Sequence, residues 1–124
     1  MIDFQNKATV KLSKVEVNSI MGEISPLLIS GESVIGAYRS MRDFVVFTDK
    51  RIVSVNVQGL TGKKKDFSSL PYSKVQVFSV ETSGVFDLDS ELELYFSGLG
   101  KVRFEFTGAS DIVQIGQMIG EYIL

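Results

Sequence analysis

The sequence predicts a mainly β domain: a seven-stranded antiparallel, partly open barrel capped by a C-terminal α-helix, with a short helix near the N-terminus. Three observations lead there. From Gly31 onward apolar residues recur with a period of two, and turn residues return often enough for a β meander. After Thr107-Gly108 the period changes to 3.6, the spacing of a helix. Between them, Phe44-Val45-Val46-Phe47-Thr48-Asp49-Lys50-Arg51-Ile52-Val53 sets one charged turn between two β-branched and aromatic runs.

With 124 residues the chain has enough material for one continuous core without disulfides or metals. It is 44% hydrophobic and 23% charged with a formal net charge of -2, so bulk charge argues against nucleic acid as a partner. It contains neither cysteine nor histidine, which removes thiol nucleophiles, imidazole bases and the commonest zinc ligands together. No catalytic residue, metal ligand or cofactor site is expected. The N-terminus lacks a basic segment followed by an apolar core, and no apolar run approaches the ~20 residues that cross a bilayer, so a cytoplasmic location is the expectation.

In chain order, residues 1–29 are expected to form an arm and a short helix packed on the domain, with residues 30–124 as the domain proper. Residues 1–12 are weakly patterned. Ser13-Lys14-Val15-Glu16 matches a capping box, which predicts a helix with Val17, Ile20, Met21, Ile24 and Leu28 on one face. Ser25-Pro26 interrupts its second half, because the residue before proline is pushed out of the α region. That helix either packs on its own domain or meets another subunit.

Strands are expected near 34–40, 43–48, 51–57, 64–68, 74–83, 91–96 and 101–107. Gly59-Leu60-Thr61-Gly62 turns the third strand into the fourth, Leu70-Pro71-Tyr72 breaks the chain before the fifth, and Gly84 opens the next link. In the last hairpin, Leu92, Leu94 and Phe96 alternate with charged or polar residues, as do Val102, Phe104 and Phe106. Keeping the apolar sets on one side pairs Phe96 with Val102, Leu94 with Phe104 and Glu93 with Glu105, around a Gly98-Leu99-Gly100 loop. Arg103 then offsets the Glu93–Glu105 repulsion diagonally. The final helix carries Ile112, Ile115, Met118, Ile119, Tyr122 and Ile123 as one stripe, with Ser110 or Asp111 near its N-cap. The open barrel end is the nearest partner for that stripe.

Phe47-Thr48-Asp49-Lys50-Arg51-Ile52, the Gly59 to Gly62 turn, the lysines after it, Pro71-Tyr72-Ser73-Lys74-Val75 and Val80-Glu81-Thr82-Ser83-Gly84 follow one another in an order that resembles the bacterial pleckstrin homology (PH-like) domain family. The resemblance covers residues ~30 to 123. It implies a PH-like barrel that stands alone, lacks known catalysis, and self-assembles into ring-shaped homo-oligomers rather than binding lipid as a monomer. It also implies that basic residues around the first hairpin are where eukaryotic members meet phosphoinositides. Arg39 and Arg42 flank Ser40-Met41 there, but Asp43 follows at once, so the pattern is half matched.

Lys63-Lys64-Lys65 is the one run of like charge. Together with Arg39 and Arg42 it forms the candidate anion or lipid contact, each lysine contributing about 1 kcal/mol near an anionic membrane. An extended chain points Lys64 away from Lys63 and Lys65, so protection of a strand edge is the competing reading, and the favoured one. The glycine pairs Gly98/Gly100 and Gly59/Gly62 join strand to strand and offer no helix N-terminus to a phosphate. Asp87, Asp89, Glu91 and Glu93 lack the glycine and terminal glutamate of an EF-hand loop. Charge is also unevenly distributed: residues 33–80 carry eight Lys or Arg against three Asp or Glu, whereas 81–124 carry two against eight. A two-signed barrel suits head-to-tail contact, which closes into a ring when the rotation allows. The expected partner is therefore another copy of the chain, or another protein. Membrane lipid is the alternative.

Overall fold

The computed structural model describes residues 1–5, 9–108 and 112–124, residues 9 and 10 by their backbone alone. Eight strands form one sheet: β1 (Thr9–Val15), β2 (Val34–Ser40), β3 (Asp43–Thr48), β4 (Arg51–Gln58), β5 (Lys64–Pro71), β6 (Val75–Glu81), β7 (Ser90–Phe96) and β8 (Gly100–Phe106). Their spatial order is β5-β4-β3-β2-β1-β8-β7-β6, which leaves β5 and β6 as edges. Every neighbouring pair is antiparallel except β1 and β8, which run parallel. Helix α2 (Ile112–Ile123) follows β8. The expected cap of this helix, Ser110 or Asp111, lies outside the described residues.

The seven expected strands are present as β2 to β8. The eighth, β1, replaces the expected arm and capped helix start. Ser13 is not an N-cap: it pairs with Arg39 across the β1–β2 ladder, and its hydroxyl lies 3.0 Å from that of Thr107. A strand wins here because it bridges two half-sheets whose backbone groups would otherwise be unpaired. The β1–β8 register shifts between Thr9 and Leu12, and Lys11 adopts φ 58° within the shift. Helical structure begins only beyond β1, as a 3-10 turn (Val17–Ser19), the single α turn α1 (Met21–Ile24) and a second 3-10 turn (Ser25–Leu27). Ser25 stays in the α region, and the chain tightens to 3-10 geometry at Pro26 instead of extending.

Around β2 to β4 the sheet buries both of its faces. On one side Val45, Phe47, Ile52, Leu92, Leu94, Phe104 and Phe106 join Ile112, Ile115 and Ile119 of α2 in the main core. Tyr38 packs edge-on against Phe106, with centroids 5.0 Å apart. On the other side Ile20 and Ile24 cover Ala37, Phe44, Val46, Val53 and Val55. Phe44 to Phe47 therefore read as one unbroken apolar run because β3 is buried on both faces. The N-terminal helical turns pack on the chain's own sheet.

The β7–β8 hairpin keeps its predicted faces but sits two residues from the predicted register. Phe96 pairs with Gly100, Leu94 with Val102, Leu92 with Phe104 and Glu91 with Glu105. A shift of two leaves every apolar residue on its side, so the pattern alone does not separate the two registers. Both registers set one Glu opposite Glu105, Glu93 in the predicted one and Glu91 in the observed one; in the observed one Arg103 pairs with both Glu91 and Glu105, and Lys101 lies 3.3 Å from the Glu93 carboxylate. Gly100 keeps the left-handed geometry the turn requires, at φ 94°, and a Cβ there would strike the Gln5 side chain at 2.9 Å.

Candidate functional site

The candidate basic residues divide between two places. Arg42 belongs to the β2–β3 turn, where Ser40 pairs with Asp43 and Met41 takes φ 53°. Its Nη1 donates to Gly59 O at 2.6 Å, tying this turn to the β4–β5 turn. Asp43 reinforces the tie by accepting from Val57 N at 2.8 Å and from Asn56 Nδ2 at 3.2 Å. The β4–β5 turn leads directly into Lys63 and Lys64, both exposed, and Lys65, half-buried. Met41 and Leu60 stand almost wholly in solvent at the two tips. The carboxylate that seemed to spoil the basic hairpin thus serves to hold it.

Arg39 is engaged elsewhere. Its guanidinium lies over the Phe44 ring, 5.2 Å from the centroid, and 3.9 Å from Glu23 Oε2 on α1. Arg42 is thus tied to the β4–β5 turn that leads into Lys63; Lys64 and Lys65 pair with Gln58 and Val57 beyond it, and Arg39 lies on the side covered by the N-terminal helical turns.

The strongest electrostatic arrangement surrounds the Thr48–Arg51 turn, and sequence reading missed its central residue. Glu32 has no exposed side-chain surface, yet it is ionised against Arg51: Arg51 Nη2 donates to Oε1 at 2.8 Å and Arg51 Nε to Oε2 at 2.9 Å. Thr48 Oγ1 donates to Oε2 at 2.7 Å, and Ile29 N donates to Oε1 at 3.1 Å. Burial works to raise the Glu32 pKa, but Arg51, Thr48 and the Ile29 N–H together outweigh it and hold the carboxyl at about 2. Tyr72 closes the network by donating to Thr48 O at 2.7 Å; burial, then the nearby Tyr122, Asp49 and Glu32, raise its phenol well above the usual range. Lys50 and Arg51 N–H groups both donate to Thr48 Oγ1, at 3.0 Å each.

A carboxylate so fully bonded has no lone pair left for a substrate proton. The network fixes the turn, the N-terminal segment through Leu27 O, and the β5 end through Ser69, all from one guanidinium. The acidic stretch likewise engages its own neighbours. Glu91 pairs with Arg103 and Glu93 with Lys101, while Asp87 accepts from Asp89 N. Among the described residues no three Asp or Glu converge as a metal cage would require. Among the same residues no helix is long and apolar enough to cross a membrane.

Comparison with known proteins agrees with this geometry. The family model described as "Bacterial PH domain" matches residues 3–123. The chain is 48% identical over 109 residues to the uncharacterised protein YjqA of Bacillus subtilis (strain 168), covering 86% of this chain and 87% of that one. Among solved structures it resembles a protein with a pleckstrin-homology domain from Shewanella loihica, with TM-score 0.80 and 36% identity, over 93% of this chain and 99% of the other. A pleckstrin homology domain from Shewanella amazonensis is similar at TM-score 0.68 and 40% identity, covering 90% and 91% of the two chains. Fold, order of the turn motifs and sequence identity converge, and the chain belongs to the bacterial PH domain family.

Proposed function

We propose that this protein is a non-enzymatic interaction module that self-assembles head to tail into a homo-oligomer, with a closed ring as the natural end point. The observation that carries this reading is the separation of charge across β1. The half-sheet β2 to β5 and its links, residues 33–71, hold seven Lys or Arg against three Asp or Glu. The other half with α2, residues 75–124, holds two against eight. Opposite signs on opposite halves favour contact between unlike surfaces of two copies, and a contact of that kind propagates until a rotation closes it. Light scattering after gel filtration in low salt is expected to give a multiple of the chain mass. Raising salt from ~0.1 M to ~1 M shortens the Debye length from about 10 Å to about 3 Å and is expected to weaken the association. A monomer at tens of micromolar in low salt overturns the proposal.

A second reading rests on Arg42, Lys63 and Lys64 standing beside the exposed Met41 and Leu60. Apolar tips flanked by cations suit the surface of an anionic bilayer, the apolar atoms entering the headgroup layer while the cations meet phosphate. Cosedimentation with phosphatidylserine vesicles tests it. The Lys63/Lys64/Lys65→Ala variant is expected to bind at least ~10-fold more weakly if the lysines each contribute about 1 kcal/mol. Equal sedimentation of both proteins removes the lysines from the account.

A further inference from the structure

The hairpin of β6 and β7 carries two unlike features at its ends. At one end the link from Glu81 to Ser90 lifts Phe86 and Val85 into solvent, 100% and 86% exposed. The loop is closed by its own bonds: Gly84 N donates to Asp87 O at 2.6 Å and Asp89 N to Asp87 Oδ1 at 3.0 Å. Leu88 holds its base against Gly108, where an added Cβ would come within 3.2 Å of the leucine. An aromatic ring so presented, with no apolar side chain covering it among the described residues, marks a contact surface.

At the other end, where Val75 pairs with Phe96, an open groove of about 430 Å³ is lined by Leu70, Pro71, Val75, Phe96 and Leu99 together with four uncharged polar residues, and Lys74 is its one charged wall among the described residues. Leu70 and Phe96 are otherwise buried, so the apolar floor is part of the core. The loop and the groove are separated by the length of a seven-residue strand, roughly 20 Å at ~3.4 Å per residue, so a chain cannot seat its own loop in its own groove.

The geometry points to a contact between copies in which the Val85–Leu88 loop of one chain seats Phe86 in the Leu70–Phe96–Leu99 groove of the next, with Asp87 facing Lys74. This rests on the self-assembly reading and supplies its contact surfaces. Three features select a second copy as the occupant. The apolar tip matches the groove's apolar floor, its acidic flank matches the basic wall, and the two patches differ, so each chain offers one of each and the contact repeats. An anionic membrane fits the loop poorly, because Asp87 and Asp89 would face phosphate.

Sedimentation velocity on three proteins tests this: wild type, Phe86→Glu, and the groove variant Lys74→Glu/Ser97→Glu. The altered side chains are exposed, and matched circular dichroism melts confirm that the variants fold; Phe86→Ala serves as a milder second loop variant. Each of the two charge variants alone is expected to weaken association at least ~30-fold, the loss of one anchor residue, and to run as a monomer where wild type is assembled. Mixed one to one, they retain a single good loop and a single good groove between them, and the expected product is a dimer and nothing larger. If wild type assembles but Phe86→Glu keeps the wild-type mass, or the mixture stays monomeric, this contact is wrong while self-assembly stands. If wild type is itself monomeric, the self-assembly reading fails first and takes the contact with it.

Discussion

A chain ending at Gly108, and so lacking α2, is expected to lose its cooperative urea unfolding transition, followed by far-ultraviolet circular dichroism. Ile112, Ile115 and Ile119 are buried in the main core, and Met118 and Ile123 pack partly against it. Burial of the three isoleucines contributes roughly 1.5 to 3 kcal/mol each, against a total stability of about 5 to 15 kcal/mol for an ordinary domain. Their removal also opens the main core they share with the sheet on the side of β6 and β7, so the loss is larger than the helix's own share. Helix and sheet sit close: a Cβ at Gly116 would lie 2.9 Å from Val80 Cγ2, and Tyr122 stacks on Tyr72 with centroids 5.7 Å apart. Ile119→Ala supplies the graded version, with an expected loss of ~2 to 5 kcal/mol from the transfer and cavity terms. A wild-type transition in the shortened chain would show that the sheet closes its own core.

Glu32→Ala is expected to destabilise the protein by about 3 kcal/mol at neutral pH. Removing one partner of a buried pair leaves the other uncompensated, and Arg51 retains only a little solvent contact to relieve it. The same pair sets an acid limb. Glu32 has its pKa lowered on folding, from 4.5 to about 2, so its stabilisation is complete above ~4.5 and is lost as pH falls through about 2. The shift corresponds to roughly 3 kcal/mol. Urea midpoints at pH 7, 4.5, 3 and 2 are expected to converge for wild type and Glu32→Gln as the pH falls, because the variant has no such proton to take up. Parallel midpoints across that range would assign the acid sensitivity to other carboxylates, such as Asp66, whose pKa is lowered chiefly by its hydrogen bond from the N-terminal ammonium.

Most of strands β2 to β8 were legible because they alternate or run apolar; β5, whose Phe67 and Leu70 lie three apart, was legible from the Gly59 to Gly62 turn before it and Pro71 at its end. Strand β1 was not. Its exposed Ser13 and Lys14, its buried Leu12 and its irregular Lys11 give no steady period, and Ser13 to Glu16 imitates a capping box. What makes this segment a strand is β8, some ninety residues away, whose Phe106 pairs with Leu12 and after which Thr107 N donates to Leu12 O at 2.9 Å. The basic candidates were legible as residue types but not as a set. Their grouping depends on the Arg42 to Gly59 bond and on the withdrawal of Arg39 to Phe44, both of them contacts across strands.

The charged turn shows the division most plainly. By itself the sequence determined that Thr48 to Arg51 is a charged bend between apolar strands, that a β meander ends on an amphipathic helix, and that positive and negative charge fall in different parts of the chain. These follow from local periodicity and composition, which each residue carries wherever it is placed. Only the tertiary structure decided that Arg51 turns inward to Glu32, that Tyr72 locks Thr48 from β5's far end, and that exposed Phe86 and the groove over Leu70 and Phe96 stand at opposite ends of one hairpin. Those are distances between residues remote in sequence, fixed by which strands become neighbours.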